Sequence, residues 1–243
     1  MDELLTLPWE RTDDSSPIAS RMAAWAAREI IERRYEPGTL LTEADLANAQ
    51  KASRTPAREA MLQLERWRLV RLVPKKGALV TTVTGKERKD LLSVRAMFEI
   101  DAVQAITSAA GDQSSGATGT GGFGTEPAGT TLEPLAADLR TLLDRQREAL
   151  SSGRQLDFAS VDYAFHARII RSGGNAVVDE MLTTMGPRLA RLTFLAITDT
   201  NGPLDDLVDE HARLTDLAER GEVEQFGQLV HAHIDASHFP HGR

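Results

Sequence analysis

Asp162 and His166 stand four residues apart, so on a helix they project side by side from one face, a spacing that suits two ligands of a single metal ion. Phe158, Phe165 and Ile169 share that stripe, which turns the pair toward an interior. His211 falls among Leu204, Leu207, Leu214 and Leu217, and His233 with Phe226 and Val230, each on the apolar face of its own segment. Asp162, His166, His211 and His233 are therefore expected to converge on one interior point. A carboxylate with three imidazoles suits zinc, nickel, iron, manganese or cobalt; no softer ligand narrows the choice, and zinc is the working one. The plainer alternative is that each is a hydrogen-bonded core residue. His231 and His238 read as surface residues.

A second constellation is the run Ser53-Arg54-Thr55-Pro56-Ala57-Arg58. Arg54 and Arg58 share one helix face, so both guanidinium forks can point at a DNA major groove, where bidentate contact to guanine is the commonest specific pairing. Ser53 and Thr55 offer hydroxyls and helical N–H groups to phosphate. Lys75 and Lys76 lie in a tight turn suited to gripping the backbone or entering a minor groove. Singly these are ordinary solvated charges; their grouping is what carries the reading. A third feature is Arg95, inward-facing with Leu91, Phe98 and Ala102. A buried guanidinium needs a partner, either Glu99 one turn on or the carboxylate of a bound ligand. Arg188 and Arg191 are further candidates for the ligand role, with their facing open.

These residues need elements to hold them. Residues 1–17, acidic with two prolines, read as a flexible arm. Apolar spacing predicts a helix over 18–34, a short helix capped by Thr42, and a third helix opened by Thr55 as N-cap and Pro56, with Ala57, Ala60, Met61 and Leu64 facing inward. Two short strands, 69–73 and 78–81, flank Pro74-Lys75-Lys76-Gly77. Three helices and a hairpin make a winged helix-turn-helix over 18–83. From Thr84 a helix is expected to about Ala110, on a stripe of Leu91, Val94, Phe98, Ala102, Ala105 and Ile106. Helices at 132–151, 155–172, 175–199, 203–220 and 223–238 complete an all-α effector-binding and dimerisation domain over 84–243. Between them, Gly111 to Thr131 holds seven Gly, two Ser, five Thr and one Pro in 21 residues, a composition expected to give a disordered loop. The fold class is mainly α.

The chain has 243 residues, 41% hydrophobic and 26% charged, with no cysteine, so it is globular and long enough for two cores. Disulfide frameworks, thiolate metal sites and cysteine catalysis are excluded. No run approaches the roughly 20 apolar residues of a membrane span, and the acidic start is unlike a signal peptide, so a cytoplasmic protein without a membrane partner is expected. Charge is segregated. Residues 18–89 carry 15 Lys and Arg against 8 Asp and Glu, a balance of +7, whereas the total is -8. A basic segment on an acidic protein points to a polyanion partner for that segment alone.

Residues 18–82 resemble the DNA-binding domain of GntR-type bacterial transcription regulators. The matching residues are Pro37-Gly38, Leu41, Glu43, Leu46-Ala47, the run SRTPAREAM from Ser53 to Met61, Leu64, Leu69-Val70 and Gly77. Ala49-Gln50-Lys51-Ala52 departs from the Leu-Gly-Val usual before the serine, which bears on packing between the second and third helices rather than on the groove-facing residues. The resemblance implies operator contacts by Arg54, Arg58, Ser53 and Thr55, with Glu43 and Gly77 near the DNA backbone or wing. Residues 87–238 are similar to the FCD ligand-binding domain of the FadR-type subfamily. Its R-x-x-x-E is matched by Arg95 and Glu99, its D-x-x-x-H by Asp162 and His166, its Gly-Asn step by Gly174-Asn175, and its histidine pair 22 residues apart by His211 and His233. That resemblance implies a helical bundle, a metal on the aspartate and three histidines, a small carboxylate effector, and a homodimer on a pseudo-palindromic operator in double-stranded DNA. The expected function is a metabolite-responsive regulator, with repression the expected sign. Two other classes are a metalloenzyme whose open metal position activates water, and an architectural DNA-binding protein with a vestigial bundle. The first has no placed acid, base or nucleophile and leaves residues 1–82 unexplained; bound metal discriminates against the second.

Overall fold

The computed structural model describes residues 6–115, 132–199 and 204–239. Two hydrophobic cores organise them. The first is built by α2 (Ile18–Ile31), α3 (Glu43–Ala49) and α4 (Arg54–Arg66) with the strands β1 (Leu40–Leu41), β2 (Val70–Val73) and β3 (Gly77–Val80), after a short α1 (Pro8–Arg11). Met22, Ala26, Ile30, Leu46, Leu64 and Trp67 fill it. The α3 start follows from sequence, since Thr42 Oγ1 accepts from the Asp45 amide at 3.1 Å and Asp45 Oδ2 returns the bond to Thr42 N at 2.9 Å.

The wing is an antiparallel sheet of order β1-β3-β2, with Leu41 opposite Ala78 and Val73 opposite Gly77. β1 was not expected; two residues are too short to show an alternating pattern. Gly77, expected near the DNA backbone or wing, opens β3 of the wing and lies against β1. Its φ is +133°, and a Cβ there would sit 2.1 Å from the Leu41 carbonyl oxygen. The glycine is therefore explained by the approach of two backbones. The N-cap of α4 is Ser53 rather than Thr55, which places Pro56 third in the helix, within the first turn, where its missing N–H costs nothing.

The second core belongs to α5 (Gly85–Ser115), α6 (Leu132–Ser151), α7 (Gln155–Ser172), α8 (Ala176–Asp199), α9 (Leu204–Glu219) and α10 (Val223–His238). α7 runs through its centre, buried at nearly every position from Leu156 to Ile170, which is why Asp162 and His166 lie deep. The buried face of α5 is wider than the expected stripe. Leu91, Leu92, Arg95, Ala96, Glu99, Ala102, Val103 and Ile106 are buried, while Ala105 is exposed. α5 also continues through Gly111 to Ser115, five residues assigned from composition to the loop; an established helix propagates through a glycine for about 1 kcal/mol. The remainder of that loop, 116–131, lies outside the described residues. Among the described residues no helix is long and apolar enough to cross a membrane.

The amino-terminal segment departs from the expected flexible arm. Leu7 is buried in the bundle core, and the Trp9 indole N–H donates to Ser160 Oγ at 3.0 Å. Trp9 also packs against Ile31 of α2 and Leu156, Ala159 and Phe194 of the bundle, so the segment straps the two cores together. Two large apolar side chains in an acidic, proline-flanked run were the only trace of this in the sequence.

Candidate metal centre

His166, His211 and His233 come from α7, α9 and α10, and one ring nitrogen of each lies within 4.8 Å of the other two. His211 Nε2 stands 3.3 Å from His233 Nε2. Asp162 Oδ1 lies 3.6 Å from His211 Nε2 and 3.9 Å from His166 Nε2. The four residues singled out by spacing are thus brought together, all buried. Nitrogen and oxygen ligands bound at 2.0–2.2 Å stand about 3.3–3.6 Å apart around a tetrahedral ion, close to these separations.

What backs each ligand decides what the cluster can hold. The Nδ1–H of His166 donates to Glu99 Oε2 at 3.0 Å, that of His211 to Gln146 Oε1 at 2.9 Å, and that of His233 to Glu210 Oε2 at 2.8 Å. Asp162 Oδ2 accepts from Thr193 Oγ1 at 2.7 Å. With every Nδ1 committed as a donor, the three Nε2 atoms present lone pairs, and Asp162 Oδ1 adds a fourth acceptor. Four acceptors aimed at one buried point repel each other unless a cation lies among them. His166 Nε2 has no hydrogen-bond partner in the protein. Carboxylate-backed or amide-backed imidazoles are the usual outer support of a transition-metal site. The residues fit a divalent transition metal.

Glu99, Gln146 and Glu210 were not assigned this role from sequence. Glu99 was considered only as a partner for Arg95. Gln146 carries a legible signal, a polar residue on the stripe of Leu139, Leu142, Leu143 and Ala149. Glu210 carries none, being half-buried beside His211. His238 corrects the surface reading: it is 4% exposed and its Nδ1 has no partner, because α10 turns its last residue onto α5, where Arg88 donates to the His238 carbonyl at 3.2 Å. His231 is exposed, as expected.

Arg95 and Glu99 are both buried, with Nε 3.1 Å from Oε1. The pairing is incompletely aligned, for Arg95 Nε and Nη2 and Glu99 Oε1 all lack hydrogen-bond partners. Both expected readings of Arg95 thus have support: it is paired with Glu99, and it keeps donors to spare. Arg191 and Arg188 do not join this site. Arg191 Nη2 donates to the Thr81 carbonyl at 2.8 Å and Nη1 to Thr81 Oγ1 at 3.2 Å, and Arg188 lies 3.5 Å from Glu87. They sit at the seam between the wing and α5, which settles the facing left open for these two candidates away from the effector role.

Burial, reinforced by Arg95, holds His166 well below the ordinary imidazole range, and burial reinforced by His233 does the same to His211. His238 is lowered by burial and Arg95. Burial pushes Glu99 up to about 7, against the opposing pull of Arg95 and His233. The two ligand imidazoles are therefore neutral at pH 7, the form that binds metal. Below about 6.5 the unfolded chain protonates these three histidines while the folded chain does not, and Glu99 offsets one of the three by holding its proton only when folded. The metal-free protein should lose stability on acidification, by up to roughly 2–3 kcal/mol per pH unit near pH 5.5. Urea unfolding of chelator-treated protein between pH 7.5 and 5 checks this; a midpoint that is constant or rises toward pH 5 would refute it.

At the other pole, Ser53, Arg54, Thr55 and Arg58 are exposed at the start of α4, and Ser53 makes no side-chain cap bond. Lys75 and Lys76 are exposed at the wing tip, Lys75 with φ of +62°. Glu43, half-buried, opens α3.

Comparison with known proteins gives two matches within the chain. Residues 22–80 match the family described as bacterial regulatory proteins, gntR family, and residues 128–236 match the FCD domain. The “Probable D-xylose utilization operon transcriptional repressor” of Paenarthrobacter nicotinovorans is 22% identical over 90% of this chain and 86% of its own length. The gluconate operon transcriptional repressor of Bacillus subtilis (strain 168) is 23% identical over 73% of this chain and 64% of its own. Among solved structures, a GntR transcriptional regulator from Rhodococcus sp. RHA1 superposes with a TM-score of 0.67 at 23% identity, covering 90% of this chain and 95% of that one. These families and relatives are transcriptional regulators rather than enzymes.

Proposed function

The chain belongs to the gntR family of bacterial regulatory proteins, with an FCD domain behind its DNA-binding domain, and on that premise we propose a cytoplasmic repressor whose hold on its operator is set by a small carboxylate bound at the four-residue site. The observation that carries the effector half is the convergence of four acceptors, each backed by its own hydrogen bond, on one buried point. Asp162, His166, His211 and His233 would hold the ion, with zinc the first choice among zinc, nickel, iron, manganese and cobalt. When bound, the metal supplies a Lewis-acid contact for a carboxylate oxygen. Arg95, with guanidinium N–H groups to spare, orients that carboxylate.

Arg54 and Arg58 are the proposed base readers, Ser53 and Thr55 the phosphate contacts, and Lys75 and Lys76 the wing's grip on the duplex. A homodimer would present two such surfaces to a pseudo-palindromic site. The seam offers a route between the poles. α8 carries Thr193, bonded to the ligand Asp162, and two residues earlier Arg191, bonded to Thr81 directly after the wing. Movement of Asp162 on ligand binding would be felt at both ends of that short segment, and a ligand shifts the dimer geometry only to the extent that it prefers one arrangement.

Selection of bound duplexes from a random pool tests the DNA half. The expected result is an inverted repeat whose half-sites lie about one helical turn apart, with affinity falling steeply as salt rises. Enrichment of a single unrepeated site, or of none, would overturn it.

A further inference from the structure

Among the buried polar atoms of the bundle without partners are His166 Nε2, Arg95 Nη2 and His238 Nδ1, and a metal ion does not account for all three. Such an ion accounts for His166 Nε2, an acceptor. Arg95 Nη2 is a donor, and His238 Nδ1 belongs to a ring in which either nitrogen can carry the proton; both are buried and neither is satisfied by the protein. Buried polar atoms are hydrogen-bonded in the great majority of native proteins, so these two orphans point to absent partners. They sit on α5 and α10, two helices that pack against each other. α10 packs along α5, Arg88 and Arg95 are two helical turns apart on α5, and the Arg88 guanidinium holds the carbonyl of His238. The charge of Arg95 is felt at His238 and at His166 alike.

We propose that His238 is a specificity-determining residue of the effector site, its Nδ1–H donating to a second oxygen of a small organic acid whose carboxylate Arg95 holds beside the metal. The inference rests on the metal-and-carboxylate reading above and narrows it. The ligand carries, besides the carboxylate, another oxygen acceptor such as a hydroxyl or a second carboxylate. Because His238 ends α10, the same contact fixes the last turn of that helix over the site. A basic residue suits the last turn of a helix, but a buried, unbonded imidazole is a poor choice for packing alone.

The test uses the zinc-loaded full chain and titration calorimetry with acetate, lactate, malonate, malate and citrate. The expected result is that at least one acid with a second acceptor binds about tenfold or more tightly than acetate, the gain of one buried hydrogen bond to a ligand oxygen. His238→Phe, which fills the space without a donor, should abolish that preference with zinc content unchanged, and His238→Asn, which keeps a donor, should retain part of it. A preference that survives in His238→Phe, or a wild-type chain that binds acetate as well as the rest, would overturn the role of His238 while leaving the metal site standing. Failure of the wild type to hold zinc at all would count instead against the reading on which the inference rests, and a chain that binds none of the acids overturns both.

Discussion

Changing His211 and His233 to alanine together should lower zinc affinity at least about a thousandfold and erase the rise in unfolding temperature that zinc gives the wild type. Loss of a single backing residue typically costs a metal site ten- to a hundredfold, and this variant removes two of four ligands outright. What remains, Asp162 and His166 one turn apart on α7, is a two-point contact such as many helices offer without binding zinc. The folded state should survive the change. In metal-free protein the two Nε2 lone pairs face each other across 3.3 Å, so removing them relieves repulsion and offsets part of the cavity cost. Chelator titration of loaded protein, with thermal unfolding in parallel, reads both effects. Undiminished zinc affinity in the double variant would remove these histidines from the site. Glu210→Ala, which keeps all four ligands and removes only the acceptor behind His233, should cost less, about ten- to a hundredfold.

The second large effect is at the opposite end. Arg58→Ala should weaken binding to the selected operator by about ten- to a hundredfold, the worth of one bidentate contact to a base, while affinity for unrelated duplex falls much less. Arg58 is exposed on α4, one turn beyond Arg54 and next to the buried Ala57 and Ala60, which seat the helix on the first core. Truncating it leaves that packing untouched, so the loss is of contact and not of fold. The same change should relax base preference at one position of the operator. A uniform drop across all sequences would make Arg58 a phosphate contact, and no drop would remove it from the interface.

Much of this is legible in the amino-acid sequence. Helices 132–151, 155–172 and 223–238 lie where apolar periodicity put them, because each keeps a clear face and is bounded by a turn such as Ser152-Gly153 or Arg220-Gly221. Asp162 with His166 and the pair His211 and His233 stood out because ligand-type residues on apolar faces are costly unless used. The misses share a physical cause, which is that the decisive partner lies far along the chain. Leu7 and Trp9 gain their order from Ser160 and the bundle, more than 150 residues away. Arg191 points to Thr81, and His238 to α5, through contacts that no local spacing encodes. Gly77 was seen as a glycine of the wing, but the carbonyl it makes room for belongs to a strand of two residues with no pattern of its own. Glu99 and Gln146 were visible as polar residues on buried faces, and here they back the ligand histidines instead of serving as ligands.

The central claim, that the bundle is built around a metal, is tested most directly by elemental mass spectrometry on the chain purified without chelator, beside its Asp162→Ala variant. One transition-metal ion per chain in the wild type, lost or sharply reduced in the variant, is the predicted result. A wild type that carries none, and takes up none when zinc, nickel, iron, manganese or cobalt is offered, would contradict it.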